Sequence, residues 1–159
     1  MFDVDVVVKH VCAEALDLKE KMTKLEEAET KLESLRLDLE SLETEQEENV
    51  GAIELLRSRL EVEAILIEDM RMKLPGDRNG VRRKRLQGEI DSAEQKRMER
   101  EVELRSLEME EATLWKEIEL RRGDKATLEE RIKDLIGARD QIIENLINLS
   151  VYEVAPVAL

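Results

Sequence analysis

Apolar residues recur along the first half of the chain at alternating intervals of four and three residues. This spacing is typical of a helix that packs one stripe against a neighbouring helix. It predicts one helix over residues 11–74, with a three-three step from Leu25 to Ala28 that indicates a stammer. The stripe consists of Val11, Ala15, Leu18, Met22, Leu25, Ala28, Leu32, Leu35, Leu39, Leu42, Ile53, Leu56, Leu60, Ile67, Met70 and Leu74.

A second stripe keeps a single phase across the other half of the chain and predicts a helix over residues 81–149. Its phase continues past Gly123, which favours a weak point in a continuous helix over a turn. Thr127 and Glu130 form a capping-box pattern, so a break at this point stays open as the alternative. The stripe consists of Leu86, Ile90, Ala93, Leu104, Leu107, Leu114, Ile118, Leu128, Ile132, Leu135, Ile142, Leu146 and Leu149.

Residues 75–80 separate the two predicted helices. Pro75 lacks a backbone donor and disfavours helix at the preceding residue, and the glycines that follow suit a turn. Two helices of similar length with a short connection predict an all-α fold, an antiparallel coiled-coil hairpin with arms of about 95 to 105 Å. The alternative is an extended parallel dimer with a flexible joint at the same residues.

A closed hairpin would pair positions whose numbers sum to about 155. Gln46 and Asn49 interrupt the first stripe and would lie opposite the region of Met109 and Ser106. Polar residues at such positions can fix the register and oligomeric state of a coiled coil. A locally loose segment is the alternative interpretation. The same register would place Glu63 near Ser92.

Both ends of the chain leave the pattern. Residues 1–10 read either as an extension of the first helix, with Asp3 or Asp5 as N-cap, or as a short β-branched strand. Residues 150–159 lack the heptad spacing and read as a short strand or an extended tail.

The apolar face of the second helix widens near its end. Two adjacent stripes of aliphatic residues exceed what a contact between two helices requires, so a third or fourth helix is expected to pack there. We therefore expect oligomerisation at the end that carries both termini, with a second copy of the chain or with another coiled-coil chain. The predicted interface consists of Ile132, Leu135, Ile136, Ile142, Ile143, Leu146 and Ile147.

The composition supports a helical rod and argues against an enzyme. Charged residues make up 41% of the chain and aromatic residues only 2%, too few to fill a compact core. No catalytic arrangement, phosphate-binding loop or cofactor motif is present, and His10 and Cys12 match no zinc spacing. No apolar run is long enough to span a membrane. With one cysteine and no secretory signal, a cytoplasmic location is expected, a nuclear one being the alternative.

Positive charge is concentrated around the predicted turn. Seven cations against Asp77 give residues 71–85 a net charge of +6 in a chain of net −13. Such a tip would attract an acidic protein surface. The alternative is binding of nucleic acid or an anionic surface through residues 78–85, although the Trp, Tyr and Phe that could stack on bases lie elsewhere. The cations are Arg71, Lys73, Arg78, Arg82, Arg83, Lys84 and Arg85.

These features predict a structural scaffold or adaptor rather than a catalyst. A stiff helical spacer would hold one partner at the end carrying the termini and present the basic tip to another. Cytoskeletal, kinetochore, ciliary and tethering assemblies use parts of this kind, an analogy at the level of the fold.

Overall fold

The computed structural model of the protein describes residues 3–76 and 78–154, with side chains through Ser150. Over these residues the chain forms two helices and no strand. Helix α1 spans Val4–Lys73 and helix α2 spans Gly80–Val154. The predicted all-helical fold with two long, mutually packed helices is confirmed.

Both ends of the described chain are helical. The Asp3 carboxylate accepts hydrogen bonds from the amides of Asp5 at 3.0 Å and Val6 at 3.4 Å, and so caps α1 at its start. At the other end α2 continues to Val154, where a strand or an extended tail was expected. Neither glycine nor proline stands between Ser150 and Val154 to stop the helix. Residues 1–2 and 155–159 of the predicted terminal segments lie outside the described residues.

The connection between the helices follows from its proline and its asparagine. Helix α1 ends at Lys73, one residue before the predicted end, because Pro75 disfavours helical conformation at Leu74. Helix α2 begins at Gly80 with Asn79 as its N-cap. The Asn79 side-chain oxygen accepts hydrogen bonds from the amides of Val81 at 3.0 Å and Arg82 at 3.3 Å. Asp77 lies outside the described residues.

The packed stripe of α1 has no stammer. Buried and half-buried residues alternate in steps of four and three from Val7 to Leu74 without interruption. Glu14 and Lys21 occupy stripe positions, while Ala15 and Met22, which were assigned to the stripe, are exposed. A stammer would overwind the helix locally, whereas the aliphatic stems of Glu and Lys can line the stripe with their charges in water.

The stripe of α2 is equally regular, from Leu86 to Leu149. It passes through Gly123 and Thr127 without a break. The Thr127 hydroxyl donates to the Gly123 carbonyl at 3.1 Å, the bond to the preceding turn that a threonine makes inside a helix. The capping-box pattern at this point therefore does not start a new helix.

The chain divides into two compact units. The turn unit is Glu40–Glu119, and the terminal unit combines Met1–Leu39 with Leu120–Leu159. In the turn unit, the two helical segments and the connection between them form a helical hairpin. In the terminal unit, the two segments also run antiparallel, since Asp38 pairs with Arg121 at 3.2 Å while Leu25 clusters with Leu135.

Candidate functional site

The basic tip separates into paired and unpaired cations. Arg71 pairs with Glu94 and lies 4.0 Å from Glu68. Lys73 bonds Asp69 at 3.0 Å, and Arg85 lies 3.6 Å from Glu89. These three cations thus form ion pairs with carboxylates of their own chain.

Four exposed cations of the tip have no such partner among the residues that the structure describes. Among the described residues, no carboxylate lies within ion-pair distance of Arg78, Arg82, Arg83 or Lys84, which we call the free tip cations. Three of them fall in the first turns of α2, whose first turn contains no acidic residue. Cations at a helix N-terminus oppose the helix dipole by a few tenths of a kcal/mol each. Their placement is unfavourable for the helix itself, and a bound anion would relieve it.

Polar groups cross the helix interface in the part of the turn unit that is farther from the turn. The Asn49 side-chain amide donates to the Leu107 carbonyl at 3.1 Å and to the Glu111 carboxylate at 3.2 Å. Gln46 donates to the other oxygen of Glu111 at 3.0 Å. Asn49 is itself buried. Because both amides share one carboxylate of α2, this polar layer ties the two helices together at one point.

A second, charged layer lies nearer the turn. Glu63 pairs with Arg100, with side chains only 18% and 25% exposed. Arg97 lies 3.5 Å from Glu101, and both its Nε and the Glu63 Oε2 are buried without a hydrogen-bond partner. The Glu63 carboxylate and the Arg97 guanidinium therefore each keep one buried atom without a hydrogen bond.

The sequence-based register agrees with the structure to within two residues at Gln46 and Asn49, which bond Glu111 and Leu107, but it is displaced at the charged layer. Glu63 was expected near Ser92, yet it meets Arg100, about two helical turns further along α2. The expectation took the two helices as starting level with each other at the turn. Leu74 instead lies in a groove with Gly80, Gln87 and Asp91, so α2 begins beyond the level of Leu74.

The predicted oligomer interface is divided between the inside and the outside of the terminal unit. Leu135 and Ile142 are buried, and Ile132, Ile136 and Leu146 are half-buried, so these five contribute to packing within the chain. Leu135 belongs to the cluster with Leu25 and Ala28, against which Ile132 and Ile136 pack. Ile143 and Ile147 are left outside, 40% and 57% exposed.

Helix α1 exposes apolar residues on the corresponding flank. Val8, Ala15 and Met22 each follow a stripe position by one residue, as Ile143 does on α2. In the turn unit, residues that follow a stripe position by one lie on the same flank of both helices. Arg57 follows Leu56, Glu108 follows Leu107, and the two side chains pair at 3.1 Å. The same antiparallel geometry places these residues on one flank of the terminal unit. We call Val8, Ala15, Met22, Ile143 and Ile147 the terminal face; the sequence pattern had assigned Ala15 and Met22 to the packed stripe.

Where the structure is described, no three His, Cys, Asp or Glu side chains are grouped so that they could hold a metal ion. Cys12 is exposed. Neither α1 nor α2, over its described length, contains an apolar stretch that would cross a bilayer.

Comparison of the chain with protein-family models, with curated proteins and with solved structures gives no match.

Proposed function

We propose that this protein is a structural coiled-coil scaffold that acts as a stiff spacer in a protein assembly. It oligomerises through the terminal face and contacts an acidic protein through the free tip cations. The observation that supports this function best is the contrast within the tip, where three cations are paired by their own chain and four have no carboxylate partner among the described residues. The regular four-three burial of both helices supports the coiled coil.

The terminal face supports self-association. Four of its five side chains are aliphatic or thioether groups large enough to exclude water, and each of these four is 40% or more exposed. Water-exposed aliphatic groups in a continuous patch gain roughly 25 cal/mol per Å² when they are covered. We propose that a second copy of the chain covers this face; another coiled-coil chain is the alternative occupant.

Charging the terminal face should therefore dissociate the oligomer. Sedimentation equilibrium of the wild-type chain should give about twice the chain mass of 18.4 kDa, and Ile143→Glu with Ile147→Glu should give a monomer. The matched control is Leu16→Glu with Leu37→Glu, two exposed leucines of the same unit outside the terminal face, which should keep the dimer. A wild-type monomer, or a dimer that survives both pairs of substitutions, would contradict self-association through this face.

The free tip cations should recognise carboxylate-rich protein. A partly exposed ion pair at an interface contributes about 0.5 to 1 kcal/mol to the binding free energy. Three lost contacts would then weaken binding by about 10- to 100-fold. The contacts should also weaken as salt concentration rises, because exposed charges are screened.

A matched pair of variants tests this contact. Arg82→Ser, Arg83→Ser and Lys84→Ser together should weaken binding of a labelled glutamate-rich peptide at least about tenfold by fluorescence anisotropy. Arg71→Ser, Lys73→Ser and Arg85→Ser remove the same charge from paired cations and should change binding by about twofold or less. Equal losses in the two variants would show that net charge alone governs binding and would contradict a defined contact.

The same variants separate the alternative function. If duplex DNA, or vesicles containing anionic lipid, bind more tightly than the glutamate-rich peptide and lose affinity in the first variant alone, the tip is a nucleic-acid or anionic-surface site. A steep dependence of the DNA affinity on salt would accompany that result.

A further inference from the structure

A row of exposed apolar residues runs along α1 within the turn unit. Leu55 is 74% exposed, Val62 57% and Leu66 55%, and Ala52 is also exposed. With Arg59 between them, these positions alternate in steps of three and four over four helical turns, from 52 to 66. We call Ala52, Leu55, Val62 and Leu66 the lateral stripe.

The lateral stripe is separate from the packed stripe of the same helix. Ile53, Leu56 and Leu60 already face α2 and are buried. Single exposed aliphatic residues are common on protein surfaces and carry no meaning. Four in helical register are different, because together with the aliphatic stem of Arg59 between them they form the kind of face that an amphipathic helix recognises.

A pocket lies beside the lateral stripe. Its walls are Ala52, Leu55, Leu56 and Arg59 from α1 and Arg100, Glu103 and Leu107 from α2. Leu55, Leu56 and Leu107 make much of this wall apolar, while Arg59 and Arg100 contribute guanidinium groups and Glu103 a carboxylate. An aliphatic side chain projecting from an external helix could enter this pocket between the two helices, as a knob enters a hole in a bundle.

The border of this face on α2 is acidic. Glu99, Glu103 and Glu110 are spaced along one face of α2, and among the described residues none of the three carboxylates has a cation within ion-pair distance. Lys96 lies on the same face of α2, whereas Arg59 and Arg100, which line the pocket beside Glu103, both pair with Glu63. The net charge of the border favours an occupant with lysine or arginine along its flank.

A second copy of this chain is a poor occupant. The lateral stripe is symmetric about Arg59, with Leu55 and Val62 on either side and Ala52 and Leu66 beyond them. Parallel pairing and centred antiparallel pairing would therefore both bring Arg59 against Arg59 of the other copy. Arg59 lies 3.6 Å from Glu63, but Glu63 also pairs with Arg100, so these three side chains keep a net positive charge. Like charges facing each other across an apolar contact are destabilising.

We infer that the lateral stripe and its acidic border form a docking site for an amphipathic helix of a different protein. That helix carries aliphatic residues at alternating intervals of three and four on one face and lysine or arginine along the flank that meets Glu103. This site is independent of the terminal face and of the free tip cations, and it adds a lateral partner to a scaffold that otherwise binds at its ends.

A designed peptide provides the probe. The peptide is about 18 residues long, or five turns, with leucines at alternating three- and four-residue intervals and lysines on one flank. We expect it to bind the full wild-type chain, measured by fluorescence anisotropy, at least about tenfold more tightly than the same peptide with glutamate on that flank. Glu103→Lys should reduce or reverse this preference.

Two matched double variants locate the binding. Leu55→Glu with Val62→Glu should weaken binding of the lysine-flanked peptide at least about tenfold, with helicity unchanged because both residues are exposed. Val102→Glu with Met109→Glu, which are exposed on α2 and carry the same added charge, should change it by about twofold or less. The milder Leu55→Ala with Val62→Ala should also weaken binding, which tests the apolar contact without added charge.

Three results would overturn the proposal. The first is peptide binding that is insensitive to Leu55 and Val62. The second is equal binding of the lysine-flanked and glutamate-flanked peptides. The third is loss of wild-type self-association in the Leu55→Glu with Val62→Glu variant alone, which would make a second copy the occupant.

Discussion

Glu63→Ala should lower the free energy of unfolding of the turn unit by about 2 to 3 kcal/mol. Removing one partner of a fully buried ion pair costs about 3 to 5 kcal/mol, because the remaining charge is left in a poorly solvated site. Here the side chains of Glu63 and Arg100 are still 18% and 25% exposed, which reduces that cost. The loss is measured by urea denaturation followed by circular dichroism.

A triple replacement separates charge burial from packing. Glu63→Leu, Arg97→Leu and Arg100→Leu together make the stripe apolar through the charged layer. Replacing buried ion groups by apolar residues of similar volume is often neutral or stabilising, so this variant should be at least as stable as the wild type. If the triple variant were as unstable as Glu63→Ala, the buried charges would not be the cause of the loss.

The helices of the triple variant should also pair in more than one register. In the charged layer and the Asn49 layer, polar side chains at packed stripe positions of α1 bond polar groups of α2, whereas the Arg57–Glu108 and Arg71–Glu94 pairs lie on the flank of the helix pair. Polar groups of this kind are best known for fixing register and oligomeric state at a cost in stability. Sedimentation velocity should show additional oligomers in the triple variant, whereas Glu63→Ala should not.

Ile118→Ala should destabilise the turn unit by about 2 to 3 kcal/mol. Ile118 is 1% exposed, the lowest exposure among the buried apolar residues. Truncating a buried isoleucine to alanine costs about 2 to 5 kcal/mol through lost burial and the cavity that it leaves. We expect the lower part of this range, because a layer between only two helices is open to water at its sides.

Ile65→Ala is the matched control for Ile118→Ala. Ile65 is the same residue type on the same unit, but its side chain is 69% exposed. Its truncation should change the free energy of unfolding by about 0.5 kcal/mol or less. Similar losses at Ile118 and Ile65 would contradict the packing described here, and hydrogen exchange at the neighbouring amides would show which helix segment opens.

Much of the fold was predictable from local pattern because the structure repeats one interaction. The four-three spacing of Leu, Ile and Met fixed which face of each helix packs, and Pro75 fixed where α1 ends. The assignment of residues to the packed stripe was wrong where an apolar residue lies outside the four-three spacing of α1. Ala15 and Met22 look like stripe residues by type, but the phase of α1 selects Glu14 and Lys21 instead.

The candidate sites were less predictable, because they depend on which side chains meet. The seven cations of the tip look alike in sequence, and only the contacts of Arg71, Lys73 and Arg85 with carboxylates set the other four apart. The lateral stripe was missed although its spacing is visible in the sequence, since the stronger stripe of the same helix lies one or two residues away.

The sequence by itself determined the helices, their packed faces and the position of the turn, because these follow from hydrogen bonding and burial within a few turns of one chain. Only the tertiary structure decided the register that brings Glu63 to Arg100 and both Gln46 and Asn49 to Glu111. Sliding one helix by a whole heptad would preserve the apolar spacing but separate these partners. The choice of register therefore depends on specific polar contacts between residues distant in sequence, and local periodicity does not encode them.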